Sequence, residues 1–213
     1  MSGRYEEITH QLQRTYDEAV DRRARSALEP WKLPERSAFL DLLSREDRRS
    51  LLEIGAGTGL HGRFFADAGL EVVCTDLSPA MVEHCQAQGL VAFQQDFLHL
   101  DLGRQFDAAF AMNCLLHVPR EDLPAALGAV RSTLRLGGLF YLGQYGGIHM
   151  DGEFADDSYE PHRYFSWLTD EDLLAVASEQ FEIESFRAVD TQSDDGSHFQ
   201  SLVLRASRSR SRR

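Results

Sequence analysis

Cysteine, lysine and long apolar runs are all scarce in this chain, and each shortage removes a class of protein. The three cysteines, Cys74, Cys85 and Cys114, are odd in number and none is spaced as CxxC. A disulfide framework or a zinc site is therefore not expected, and no metal cluster is read from the pattern. No apolar stretch approaches the ~20 residues that a bilayer-spanning helix needs. Met1 to His10 is polar and has no apolar signal core, so the setting is read as cytoplasmic. Lys32 is the single lysine and Asn113 the single asparagine, a skew that fits a GC-rich, bacterial coding bias. Positive charge is also short, with 22 basic residues against 34 acidic ones and a net charge of −12. Five of those basic residues are arginines in the last nine positions, Arg205 to Arg213, so the body of the chain is more acidic still. Such a body repels a phosphate backbone, and nucleic acid is not an expected partner. The terminal run, placed at 207–213, reads as a solvated disordered end.

What remains is an ordinary globular composition, 43% hydrophobic and 26% charged, at a length that suits one domain with a short appendage. Tyr5 to Leu28 carries Ile8, Leu12, Tyr16 and Ala19 at helical spacing and is read as one amphipathic helix closed by Pro30. Pro34 opens a second helix. Residues 1–45 thus form a helical appendage, and 46–206 the main domain. From Ser50 short apolar runs alternate with helical patterns. Strands are expected at Leu51–Ile54, Glu71–Thr75, Val91–Gln95, Phe106–Met112 and Leu139–Gln144. Helices are expected at Leu60–Ala68, after the Ser78-Pro79 cap, and at Glu121–Leu134. This alternation predicts an α/β, doubly wound and mostly parallel sheet. Tyr145 to Trp167 breaks the rhythm and is read as a long loop rich in aromatics and in the acids Asp151, Glu153, Asp156, Asp157 and Glu160. Thr169 caps a further helix, and Phe181–Val189 and His198–Leu204 read as two closing strands.

The strongest chemical signal is Glu53-Ile54-Gly55-Ala56-Gly57-Thr58-Gly59, which follows a strand and precedes a helix. Glycines there let the backbone approach a ligand at the carboxyl edge of an open sheet. Gly57 to Gly62 also satisfies GxGxxG, and Asp76 ends the next strand, where a carboxylate can accept from ribose hydroxyls. Ribose is common to NAD and to S-adenosylmethionine (SAM), so Asp76 does not choose between them. Asp96-Phe97 closes the third strand and Asn113 the fourth.

Taken together these residues resemble the class I SAM-dependent methyltransferases, of the single-domain, small-molecule type. The resemblance covers about Leu51 to Gly147. It implies a seven-stranded Rossmann-like sheet with an antiparallel last strand, N-terminal helices that cap the cofactor, and SAM as that cofactor. It implies that Glu53, Gly55, Ala56, Gly57 and Gly59 hold the amino acid end, that Asp76, with Leu77 and Met81 beyond it, holds the ribose side, that Asp96 and Phe97 meet the adenine, and that Asn113 flanks the reacting methyl. Tyr16 and Trp31 are expected contacts from the capping helices. The Asn/Asp-Pro-Pro-aromatic run of many nucleic-acid methylating enzymes is absent, which again points to a small-molecule substrate.

Methyl transfer asks the protein for alignment, exclusion of water and, for some acceptors, a base. If the final strand is antiparallel, His198 starts at the edge where Tyr145 ends the fifth strand, so His198 and Tyr145 are the expected acceptor-side residues, with His117 a third candidate. The expected reaction is O- or N-methylation of a metabolite. An NAD(P)-dependent oxidoreductase and a non-catalytic SAM-binding or interaction domain are the alternatives. The oligomeric state is not legible.

Overall fold

A computed structural model describes residues 3–154 and 157–207. Asp156 and the terminal arginines from 208 onward lie outside the described residues. The N-terminal segment forms helices α1 (Gly3–Glu18) and α2 (Val20–Arg25), followed by α3 (Lys32–Arg45). The single helix expected across this segment is broken at Ala19. No proline or glycine marks the break. It is one tightened step, in which Ala19 N–H donates to the Tyr16 carbonyl at 3.2 Å.

The main domain runs β1 (Ser50–Ile54), α4 (Leu60–Asp67), β2 (Glu71–Asp76), α5 (Pro79–Ala87), β3 (Val91–Gln94) and β4 (Phe106–Met112). A short 3₁₀ turn (Leu115–His117) follows, then α6 (Leu123–Thr133), β5 (Leu134–Gly146), β6 (Met150–Glu153), β7 (Tyr164–Trp167), α7 (Asp170–Ser178), β8 (Glu182–Val189) and β9 (His198–Arg205). Seven strands form one sheet in the order β3-β2-β1-β4-β5-β9-β8. β1 to β5 pair in parallel, and β9 is antiparallel to both β5 and β8. The expected fold class and its antiparallel last strand are therefore present.

The central strands are buried on both faces, as parallel sheets covered by helices must be. Leu51, Leu52 and Ile54 of β1 are almost fully buried. One face packs against Phe39, Leu43, Phe65 and Val82 from α3, α4 and α5. The other packs against Leu127, Val130 and Leu173 from α6 and α7, with Tyr5 of α1. Each such side chain contributes about 1.5–3 kcal/mol on burial.

The segment expected as a loop, Tyr145 to Trp167, carries instead the antiparallel hairpin β6–β7, in register from Met150↔Trp167 to Glu153↔Tyr164. Its rings build a small core of their own, in which Phe165, Trp167 and Leu116 bury with Tyr145, Ile148, Met150 and Phe154 packed on them. Its described acids are matched locally. Asp151 meets Arg4, Asp157 meets Arg163 at 2.7 Å, Gln11 donates to Glu153 at 2.8 Å, and His162 lies 3.1 Å from Glu160. Of these acids, Asp151 and Asp157 are thus paired with arginines.

Candidate active site

At the carboxyl edge of β1, the backbone turns sharply through Gly55 (φ +64) and Gly57 (φ +54). Side chains rarely adopt this region. At Gly55 space forbids one as well, since a Cβ there would sit 2.3 Å from Cys114 Cβ. Asp76 at the end of β2 pins the turn: Gly57 N–H donates to its Oδ2 at 2.7 Å, and Ser78 N–H to its Oδ1 at 2.9 Å. Burial pushes the Asp76 carboxyl up, while these two amides hold it back down. Ser78 then caps α5, accepting from Met81 N–H at 3.1 Å.

Above the turn lies a cavity walled by Gly55, Gly57, Asp76, Leu77, Met81 and Phe97 on one side, with Met112 at the end of β4 and Asn113, Cys114 and His117 after it. Leu12 and Tyr16 of α1 and Arg23 of α2 close it from the N-terminal side. Leu12 and Tyr16 belong to the helical stripe that the sequence presented as packing. Arg23, two turns beyond Tyr16, lies on the same side. Asn113 ends β4 with φ +56, and its buried Oδ1 has no hydrogen-bond partner. Buried polar atoms are rarely left so, and one aimed at a cavity wants a ligand donor.

His117 is held between two neighbours. Its Nδ1–H donates to the Tyr164 carbonyl at 2.7 Å, which leaves the Nε2 lone pair to accept from the Tyr16 hydroxyl at 2.8 Å. Burial lowers the His117 pKa to about 3, so the ring is neutral. Cys114 is buried with Sγ directed at the Ile54 carbonyl at 3.2 Å, and burial pushes its thiol up. It lines the cavity as an inert, unionised group.

Of the residues expected from sequence, the cavity gathers Tyr16, Gly55, Gly57, Asp76, Leu77, Met81, Phe97, Asn113 and His117. Several others do not reach it. Glu53 is 2% exposed and turns under the loop, with Cys74 Sγ 3.4 Å from its Oε2. Ala56 and Gly59 shape the turn, and Gly59 serves as the N-cap of α4 with φ +77. Asp96 accepts from Tyr5 Oη at 2.8 Å and from Leu98 N–H at 2.6 Å, so its neighbour Phe97 alone faces the cavity.

The acceptor-side candidates lie apart from this cavity. His198 does start β9 opposite Gly146, as the antiparallel strand requires, but its Nε2 pairs with Asp170 Oδ1 at 2.8 Å. Tyr145 Oη donates to Glu29 at 3.3 Å, and its ring packs edge-on to Trp31 at 6.0 Å. Trp31 in turn lies 4.6 Å from the Phe199 ring. His198, Tyr145 and Trp31 therefore sit beside β5 and β9, outside the cavity, because the sheet carries that edge away from β1 and β2. The sequence missed Leu12, Arg23, Met112 and Cys114. Only the helical spacing of Leu12, Tyr16 and Arg23 could have signalled any of them.

Residues 51–138 match the family model described as a methyltransferase domain. A glycine/sarcosine N-methyltransferase of Parasynechococcus marenigrum (strain WH8102) is 30% identical over 137 residues, 60% of this chain and 46% of that one. The chain thus spans about half the length of that curated relative. Among solved structures, the Burkholderia thailandensis 1,6-didemethyltoxoflavin-N1-methyltransferase, with bound 1,6-didemethyltoxoflavin and S-adenosylhomocysteine, superposes with a TM-score of 0.76 at 20% identity, covering 96% of this chain and 91% of that one. The CcbJ methyltransferase of Streptomyces caelestis gives 0.70 at 22% identity, covering 91% and 98%. The matched residues carry the glycine turn and strands β1 to β4, and over them the chain is similar to a methyltransferase domain.

Proposed function

We propose that this chain transfers the methyl group of SAM to a small-molecule acceptor by in-line displacement. The observation that carries this reading is the single cavity in which a glycine turn, a ribose-competent carboxylate and an unpartnered asparagine oxygen converge. Each Asp76 oxygen accepts one backbone amide and keeps a lone pair for a ribose hydroxyl. Leu77, Met81 and Phe97 offer an apolar slot for a purine. Gly55 and Gly57 let the backbone meet the amino acid end, and residues 1–45 serve as the cover. Bound SAM supplies an electrophilic methyl carbon on a sulfonium. The protein's part is to seat that carbon, align the acceptor and keep water out.

Neutral His117, beside Asn113 after β4, is the group we assign to orient the acceptor, through the Tyr16 hydroxyl that it holds. Two of the three similar proteins are named as N-methyltransferases, and an amine or ring nitrogen is the acceptor we favour over a hydroxyl. No helix among the described residues is long and apolar enough to cross a membrane. The setting we propose is cytoplasmic and the source bacterial, the latter on the arginine-over-lysine skew. Calorimetry tests the reading. SAM and S-adenosylhomocysteine should bind and NAD should not, and Asp76→Ala should weaken SAM by about 1–3 kcal/mol, the worth of a charge-assisted bond pair. Tight NAD binding without SAM binding would sink it.

A further inference from the structure

Arg36 Nε and His61 Nδ1 apart, the buried side-chain atoms that lack a hydrogen-bond partner among the described residues belong to Asn113, Gln144, Gln200 and Trp167. These four gather at the carboxyl edge of β4, β5 and β9. Gln144 pairs directly with Gln200 across β5 and β9, and both continue the face of Leu142 and Leu202, which packs with α6 and α7. Asn113 follows Met112, the β4 partner of Gly143, and its N–H donates to the Gly143 carbonyl at 2.7 Å, so it stands beside Gln144. Trp167 ends β7, and the next residue, Leu168, accepts from Gln200 Nε2 at 3.1 Å. Gln200 Nε2 also donates to Asp170 Oδ1 at 2.7 Å, which fixes the orientation of that amide. Its Oε1 then lies against Gly146, where a Cβ would stand 2.2 Å away. Gln200 is held in place as a prop. Gln144 is not: it is 1% exposed, and neither its Oε1 nor its Nε2 has a partner.

A buried amide that bonds to nothing is costly, because it gives up water at both ends and gains no replacement. A leucine would fill the same face of β5 without that cost, as Leu142 does two residues earlier. We propose that Gln144 receives a neutral amide or lactam edge of the methyl acceptor, its Oε1 taking a ligand N–H and its Nε2–H donating to a ligand carbonyl. This rests on the methyltransferase reading and names the acceptor class within it. Asn113 joins the site to the cavity, since it lines that cavity and stands beside Gln144. Trp167 Nε1–H is a further donor without a partner, and the buried cluster of Leu116, Phe165 and Trp167 gives a planar ring an apolar flank. Charge argues for a neutral ligand. None of the four residues is ionised, so an anion finds no counter-charge among them. Asp170 already accepts from Gln200 and pairs with His198 at 2.8 Å, so a cation finds no open carboxylate either.

Side-chain nitrogen NMR on the full chain tests this. Asn113 is the single asparagine and Trp167 one of two tryptophans, so selective nitrogen-15 labelling resolves signals from the site itself. The probe is uracil, titrated into protein saturated with S-adenosylhomocysteine. Its N,N-dimethyl derivative, which has no N–H to give, and benzoate, which is charged, are the controls. Uracil should shift the Asn113 amide and the Trp167 indole and bind about 10-fold tighter than either control. Gln144→Met, which nearly keeps the volume and removes both polar atoms, should weaken uracil by about 10-fold while S-adenosylhomocysteine affinity stays within about twofold. Uracil that shifts neither signal, or that binds Gln144→Met as tightly as the wild type, overturns the proposal. So does tighter binding of benzoate. If the two glutamines serve only to bond each other, Gln144→Met lowers the melting temperature and uracil leaves both signals in place, which overturns it equally. Gln144→Asn, which withdraws the amide by one methylene, repeats the comparison should Gln144→Met fail to fold. A wild type that does not bind S-adenosylhomocysteine overturns the methyltransferase reading itself, and this proposal with it. One that binds S-adenosylhomocysteine but not uracil overturns this proposal alone.

Discussion

His117 shows how one buried side chain can be read down to its tautomer. The Tyr164 carbonyl can only accept, so it fixes the proton on Nδ1, and the Tyr16 hydroxyl must then donate to Nε2. Burial and the nearby charges of Arg163 and Arg23 hold the ring far below the usual histidine range, at about 3. We expect His117 to stay a neutral Nδ1–H imidazole from pH 5 to pH 8. Nitrogen-15 NMR of the histidine side chains checks this, and a His117 ring that titrates near 6.5 would refute it. His198 is the contrasting case. Its place at the start of β9 was legible from strand direction, yet strand direction alone cannot say that Asp170, at the first turn of α7, would claim its Nε2. We therefore expect His198→Ala to leave S-adenosylhomocysteine affinity within about twofold, measured by calorimetry, because the residue lies outside the cavity.

At the scale of elements, the alternation of short apolar runs with capped helices was enough to predict the parallel sheet, because each strand carried its own boundary signals. Ser78-Pro79 and Thr169 mark helix starts by chemistry that is local in sequence. The β6–β7 hairpin was not legible for the opposite reason. Its strands are four residues each, and what fixes them is packing of Phe154, Phe165 and Trp167 on one another and on Leu116, none of it a local pattern. The break at Ala19 escaped for the same cause. Its consequence is functional, since α1 and α2 are clasped to the hairpin across the cavity: Thr15 Oγ1 donates to the Pro161 carbonyl at 2.9 Å, Gln11 Nε2 to the His162 carbonyl at 2.5 Å, and Arg22 Nη1 to the Ser158 carbonyl at 2.8 Å. We expect departure from the cavity to open these bonds. We expect Thr15→Val combined with Gln11→Leu to speed release of S-adenosylhomocysteine by roughly tenfold, the effect of about 1.4 kcal/mol lost from the closed form. Stopped-flow displacement measures it, and an unchanged release rate would show that the cofactor leaves by another route.

For the molecule as a whole, the glycine turn that makes the site also leaves a carboxyl in the core, and this has a price in pH. Glu53 is 2% exposed, and burial pushes its pKa from 4.5 to about 8. Gly62 is glycine because a Cβ there would stand 2.4 Å from Glu53 Oε2. A carboxyl raised in the folded state costs nothing below 4.5, where both states are protonated. Between 4.5 and about 8 the unfolded chain ionises and the folded one does not, so stability falls as pH rises, by up to about 1.4 kcal/mol per unit, and levels off above about 8. Asp76, also raised, adds to the early part of this fall. His61 and His117 act oppositely. Burial lowers both to about 3 from 6.5, so the unfolded chain takes up protons that the folded one refuses, and stability falls as pH drops from 6.5 to about 3. Glu46 and Asp107, lowered to about 2 by their arginine and amide partners, lose their contribution as pH falls from near 4 through about 2. Between 4.5 and 6.5 the carboxyl and histidine slopes oppose each other, and from 6.5 to about 8 Glu53 acts alone. Two histidines outweigh one Glu53 as pH 6.5 is approached, so the expected profile has its maximum near pH 6.5 with a decline on either side. Urea unfolding at pH 5.5, 7 and 8.5 tests it. Glu53→Gln, which keeps the shape and removes the ionisation, should abolish the alkaline decline while the acid one persists. A wild type that is as stable at pH 8.5 as at pH 7 would show that Glu53 is already ionised in the folded core.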